Sequence, residues 1–102
     1  MLLKKSPISQ KKFRVVFDDG SHVDFGAKGY QDFTQHRDPN RMRLYVIRHR
    51  SRENWTKSGI RTAGFWSRWL LWSKPDLQKA IEFMEKKFKI HIQRRSRRPL
   101  IL

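Results

Sequence analysis

Leu77, Ile81, Met84 and Phe88 recur at i, i+4, i+7 and i+11, which defines one helix with a single apolar face. Such a face must be covered, and a chain of 102 residues has few candidates to cover it. Lys12-Phe13-Arg14-Val15-Val16-Phe17 reads as a strand, rich in β-branched and aromatic residues. Asp18-Asp19-Gly20-Ser21 is a turn signal, and His22-Val23-Asp24-Phe25 alternates as a returning strand. A two-stranded hairpin is marginal alone and needs a helix or a further strand against it. Phe88, Ile90 and Ile92 alternate and offer a short third strand. Between these segments, Asp38-Pro39 starts a second helix running to about Ser51, with Asp38 as cap and Pro39 at the first helical position. Met42, Tyr45, Val46 and His49 form its apolar face. Thr62 caps a short third helix, Ala63 to Trp72, before Ser73-Lys74-Pro75-Asp76 breaks it. The expected fold is therefore α+β: a small N-terminal antiparallel β-hairpin, with the extra C-terminal strand available, packed against two or three helices.

Charge sets the expected boundaries. Lys and Arg number 24 against nine Asp and Glu, a formal net charge of +15. Residues 1–12 and 86–102 contain no acid, so the excess concentrates at the two ends. Residues 1–12 are expected to be a basic N-terminal tail, 13–92 a single α+β domain and 93–102 an Arg-rich C-terminal tail. Excess positive charge points to an anionic partner: nucleic acid, an acidic protein or lipid headgroups. Six arginines lie between Arg37 and Arg52. Arg41, Arg43, Arg48, Arg50 and Arg52 form a candidate polyanion-binding ridge, extended by Arg94, Arg95, Arg97 and Arg98. The chain has no cysteine, which excludes disulfides and thiol chemistry. The longest apolar run, Trp69 to Trp72, is far below the roughly 20 residues of a membrane span. With no signal-peptide pattern at Met1 to Pro7, the chain reads as soluble and intracellular.

Catalytic patterns are weak. His36-Arg37-Asp38 matches three letters of the kinase catalytic loop, but the Asn it needs is misplaced and the remaining machinery is absent. Asp38 is better read as a helix cap. His22 and Asp24 share one strand face without a third ligand at matching spacing, so no metal or other cofactor is expected. No phosphate-binding loop or nucleophile elbow is present. The expectation is a non-enzyme with no small-molecule substrate. Trp66, Trp69 and Trp72 are spread over about 120° of a helix, and one surface is not expected to cover all three. Trp66 and Trp72 are therefore assigned to partner contact, together with Leu100 and Leu102 of the apolar end.

Three blocks carry a resemblance: Phe25 to Thr34 with His36-Arg37-Asp38-Pro39; Arg48-His49-Arg50 with Glu53 to Ile60; and Thr62 to Trp72. Over roughly residues 13–85 the sequence resembles a family of small proteins encoded by large nucleocytoplasmic DNA viruses of algae and amoebae. The resemblance implies a virion setting and carries over no catalytic residue. The function expected is that of a viral structural protein, a minor capsid component, whose basic tails and aromatic body bind acidic virion or capsid neighbours. The alternative is sequence-nonspecific nucleic-acid binding or DNA condensation. The expected location is the virion, and the host cytoplasm or nucleus during assembly.

Overall fold

The computed structural model describes residues 1–95. It is an α+β fold with a four-stranded sheet of order β3-β2-β1-β4. β2 (Lys11–Val16) and β3 (His22–Ala27) are the expected hairpin, with Phe13 opposite Phe25 and Val15 opposite Val23. The turn sits where the sequence puts it. Gly20 adopts φ 88°, and the Phe17 amide donates to the Ser21 carbonyl across the turn at 2.8 Å. In β3, Gly26 has φ 81°, and a Cβ there would lie 2.9 Å from Leu71 Cδ1. Glycine is required at that position both by its backbone and by its neighbour.

The N-terminal segment departs from expectation. Leu2–Lys5 is a strand, β1, not part of a free tail, and residues 11–12 already belong to β2. β1 lies inside the sheet, antiparallel to β2 with Leu3 opposite Val15. Charge counting gave Lys4 and Lys5 too much weight and Leu2-Leu3 too little. Leu3 is buried in the core, and a strand can hold lysines at its outer positions while every second side chain turns inward. The last strand also differs. Phe88 closes a helix, Ile92 is buried, and the pairing residues are Gln93–Arg94 (β4), which run parallel to β1.

Each α-helix begins at a side-chain cap, at Asp38 and Thr62 as expected. Asp32 and Gln35 form a reciprocal capping box on the single-turn α1 (Phe33–His36). Asp38 caps α2 (Pro39–His49), which ends two residues short of Ser51. A 3-10 turn, Lys57–Gly59, leads to α3 (Ala63–Trp66), capped by Thr62. α3 runs directly into a π-helical turn, Ser67–Leu71. Asp76 caps α4 (Leu77–Phe88), whose C-cap Lys89 is left-handed with φ 54°. The anticipated α4 face turns to the core: Ile81, Met84 and Phe88 are buried, and Leu77 packs at the margin.

Between sheet and helices, Val15 and Phe25 meet Phe65, Trp66, Leu70 and Leu71. Within the π turn the successive residues Leu70 and Leu71 are both buried. Each tryptophan then finds its own surroundings. Trp66 is 0% exposed beside Phe17 and Phe25, its indole donating to the Ile60 carbonyl at 2.7 Å. Its assignment to partner contact is thereby corrected: the sheet, α3 and the Ile60 loop together enclose it. Trp69 packs on Phe83 and Phe88 and donates to the Trp55 carbonyl at 2.8 Å.

A candidate polyanion-binding surface

Most acids of this chain are engaged internally, Asp18 and Glu82 being the exposed exceptions. Asp24 takes a bidentate bond from Arg14 at 2.9 and 3.0 Å and a third from the Ser6 hydroxyl. These bonds, led by Arg14, hold its carboxyl down to about 2. Asp19 is likewise held at about 2, first by the Ser21 hydroxyl and amide and then by Arg61. Asp32 is 3% exposed and accepts from Lys12 Nζ at 2.7 Å while capping α1. Asp38 and Asp76 cap α2 and α4, and Glu85 accepts from the Ile92 amide at 2.9 Å. Among the described residues, only Lys12, Arg14 and Arg61 of the Lys and Arg side chains join an ion pair. Folding thus uses most of the negative charge and leaves most of the positive charge facing outward.

α2 presents the densest part of that excess. Its inner face is fastened by an aromatic stack. The Tyr45 ring lies between His49, at 4.3 Å, and Trp72, at 4.5 Å, and Trp72 in turn meets His36 at 5.3 Å. Glu53 closes the end of the stack, 3.3 Å from His49 Nδ1 and accepting from Trp55 Nε1 at 2.8 Å. Burial, reinforced by Glu53, raises the Tyr45 hydroxyl well above the usual phenol range. Trp72 is half-buried, so this expected contact residue serves chiefly as the support on which α2 rests.

The outer face of α2 exposes Arg41, Arg43, Arg48 and Arg50, with Arg52 just beyond the helix. Between them lie Leu44 and Ile47, each 53% exposed. At about 100° per residue, Leu44 and Ile47 sit about 60° apart, with Arg43 and Arg50 on one side and Arg41 and Arg48 on the other. Sequence reasoning missed this apolar pair, because it followed the Met42, Tyr45, Val46 and His49 face alone. The i, i+3 spacing of Leu44 and Ile47 was the signal that could have found it.

The other expected positions divide. Arg94 and Arg95 are exposed at β4, and Arg94 donates to the Gln78 side-chain carbonyl at 3.4 Å. Arg97, Arg98, Leu100 and Leu102 lie outside the described residues. Arg68 is half-buried between the rings of Trp55 and Trp69, 5.4 and 4.6 Å away, and donates to the Trp72 carbonyl. Burial lowers its pKa from the usual guanidinium value.

The catalytic look-alikes are tied up structurally. The His36 Nδ1 accepts from the Asp38 amide at 2.9 Å, and Asp38 caps α2 through the Asn40 amide. Asp24, beside His22 at 3.6 Å, is saturated by Arg14 and Ser6. Among the described residues no group of three or more acid or imidazole side chains is placed to hold a metal ion, and no helix is long and apolar enough to cross a membrane.

Residues 1–49, from β1 to the end of α2, match a family of unknown function, DUF5754. No curated protein and no solved structure matches the chain.

Proposed function

We propose that this chain is a non-enzymatic binding protein that attaches to acidic surfaces of neighbouring proteins through the outer face of α2, aided by its basic C-terminal segment. The observation that carries this reading is the Leu44–Ile47 pair set between two pairs of exposed arginines that join no ion pair among the described residues. An acidic, partly apolar protein surface satisfies both features, whereas a phosphate backbone offers nothing to two aliphatic side chains. The resemblance over residues 13–85 supplies the setting: a minor structural component of a virus particle, acting in the virion and during its assembly in the host cell. Sequence-nonspecific DNA binding is the second reading, favoured by the density of guanidinium groups on one helix.

Two variants separate the readings: one with Arg41, Arg43, Arg48 and Arg50 all changed to Ala, the other Leu44→Ser with Ile47→Ser. The probes are an amphipathic peptide of Glu and Leu, and duplex DNA. For an acidic protein partner, both variants weaken peptide binding about tenfold or more. For DNA, only the Arg variant matters, and it flattens the salt dependence by about one unit of slope for each phosphate no longer engaged. Peptide binding unaffected by Leu44→Ser/Ile47→Ser overturns the protein-partner reading. Absence of the chain from purified particles, by quantitative mass spectrometry, overturns the virion setting.

A further inference from the structure

The most exposed large apolar or aromatic side chain described is Tyr30, at 75%. It stands beside a groove of about 510 Å³, within the span of roughly 300–1,000 Å³ of small-molecule sites. The groove gathers residues from three separate segments: Lys5 and Ser6 at the end of β1, Lys12 and Phe13 on β2, and the stretch from Lys28 to Gln35. Its floor is rigid, since Asp32 and Gln35 both accept from Lys12 Nζ, at 2.7 and 2.8 Å. Phe13, stacked on Phe25 at 5.9 Å, forms an apolar wall. Gly29 holds φ 92°, and the Tyr30 amide donates back to the Ala27 carbonyl, so Tyr30 projects from a tight turn. Among the described residues neither Lys5 nor Lys28 joins an ion pair.

An open aromatic face, an apolar wall, amide groups and two cations in one groove match a ligand that joins a flat ring to an anion. Lysine binds phosphate as a point charge, and a tyrosine face stacks any base. The lone carboxylate in the groove, Asp32, is neutralised by Lys12, so it does not repel an anion. We propose that the Tyr30 groove holds one nucleotide unit, its base stacked on Tyr30 and its phosphate on Lys28 and Lys5. The unit comes from a free mononucleotide or from a single-stranded nucleic acid, and the chemistry is the same for both. This site is separate from the α2 outer face and does not depend on the function assigned to it.

The test uses the full chain at moderate salt, with thymidine monophosphate and with a ten-residue oligo-dT as the two probes. Binding is followed by fluorescence anisotropy for the oligonucleotide and by amide chemical-shift changes for both. Tyr30→Ala is expected to weaken binding about tenfold, the range of lost base–aromatic stacking, and Tyr30→Phe to retain it. Lys28→Glu is expected to weaken binding further as salt falls, and the four-Arg α2 variant to leave the Gly29 and Tyr30 shifts in place. Shifts at Gly29 and Tyr30 with the monophosphate as strong as with the oligonucleotide assign the groove to free nucleotides; shifts with the oligonucleotide alone assign it to single strands. Tyr30 is exposed, so Tyr30→Ala folds and remains informative. Oligonucleotide binding that Tyr30→Ala leaves unchanged, or unmoved Gly29 and Tyr30 resonances with both probes, overturns the proposal.

Discussion

Tyr45 and Trp72 lie face to face, ring centroids 4.5 Å apart and planes within 2° of parallel. One ring belongs to α2, and the other follows the π turn that packs on the sheet. This stack is the principal fastening of a helix whose opposite side is covered with arginines. Mutual repulsion among those arginines pushes against α2, so the stack must hold the helix against its own charge.

Trp72→Ala removes the support shared by Tyr45 and His36. It is expected to destabilise the fold by about 3 kcal/mol, as for other large aromatic truncations. The loss should be local first. In hydrogen exchange, amides of α2 lose protection while those of α4, packed on the core by Ile81 and Met84, keep theirs at low denaturant. Equal loss in both helices contradicts this account.

Asp32 is a buried carboxylate with two tasks, pairing with Lys12 and capping α1. Asp32→Ala leaves the Lys12 ammonium largely uncompensated in a confined site and is expected to cost about 3 kcal/mol. Asp32→Asn keeps the cap and loses the charge, so its stability should fall between those of the native chain and Asp32→Ala. Urea midpoints of the three proteins, at equal m-values, check the order.

His36 gives the fold a pH dependence of definite sign. Burial first, and then the Arg41 guanidinium, lower its pKa from the usual 6.5, against smaller opposing pulls from Asp38 and Asp32. The unfolded chain therefore takes up a proton at a pH where the folded form still refuses it. Stability is full above 6.5 and falls as the pH drops below it. Protonation at Nδ1 also ends the bond from the Asp38 amide. Asp19 and Asp24, held at about 2, act in a separate window: their contribution is complete above 3.8 and is lost as the pH falls toward 2. His36→Asn, which retains an acceptor, should flatten the fall in thermal stability as the pH drops below 6.5. An unchanged profile in that variant assigns the effect to other groups.

Local chemistry was readable where it is self-contained. The Asp18 to Ser21 turn, the caps at Asp38 and Thr62, and the inward face of α4 each depend on residues within one or two turns of chain. The same signals pointed to the α+β class. β1 was not readable, because Lys4 and Lys5 read as tail and its match to Phe13–Val16 exists only in the folded sheet; the C-terminal strand was anticipated but set too early, at Phe88 to Ile92 instead of Gln93–Arg94. The π turn was hidden for a related reason, since burying Leu70 and Leu71 together depends on the sheet they meet. At the surface, the arginines of α2 could be counted, but not that they join no ion pair among the described residues. The Tyr30 groove was beyond sequence pattern, because Lys5, Lys12 and Lys28 come together only through the register of β1, β2 and the turn after β3.

The parallel pairing of β1 with β4 closes the fold on itself. During synthesis, β1 emerges with one flank open and waits for Gln93 and Arg94 before that flank is filled. Until then Val15 and Phe25 also lack Phe65, Trp66 and Met84. The segment from residue 1 to 49 should therefore be unable to persist as an independent unit, and a translation pause or early truncation should deliver a sticky intermediate rather than a smaller folded protein.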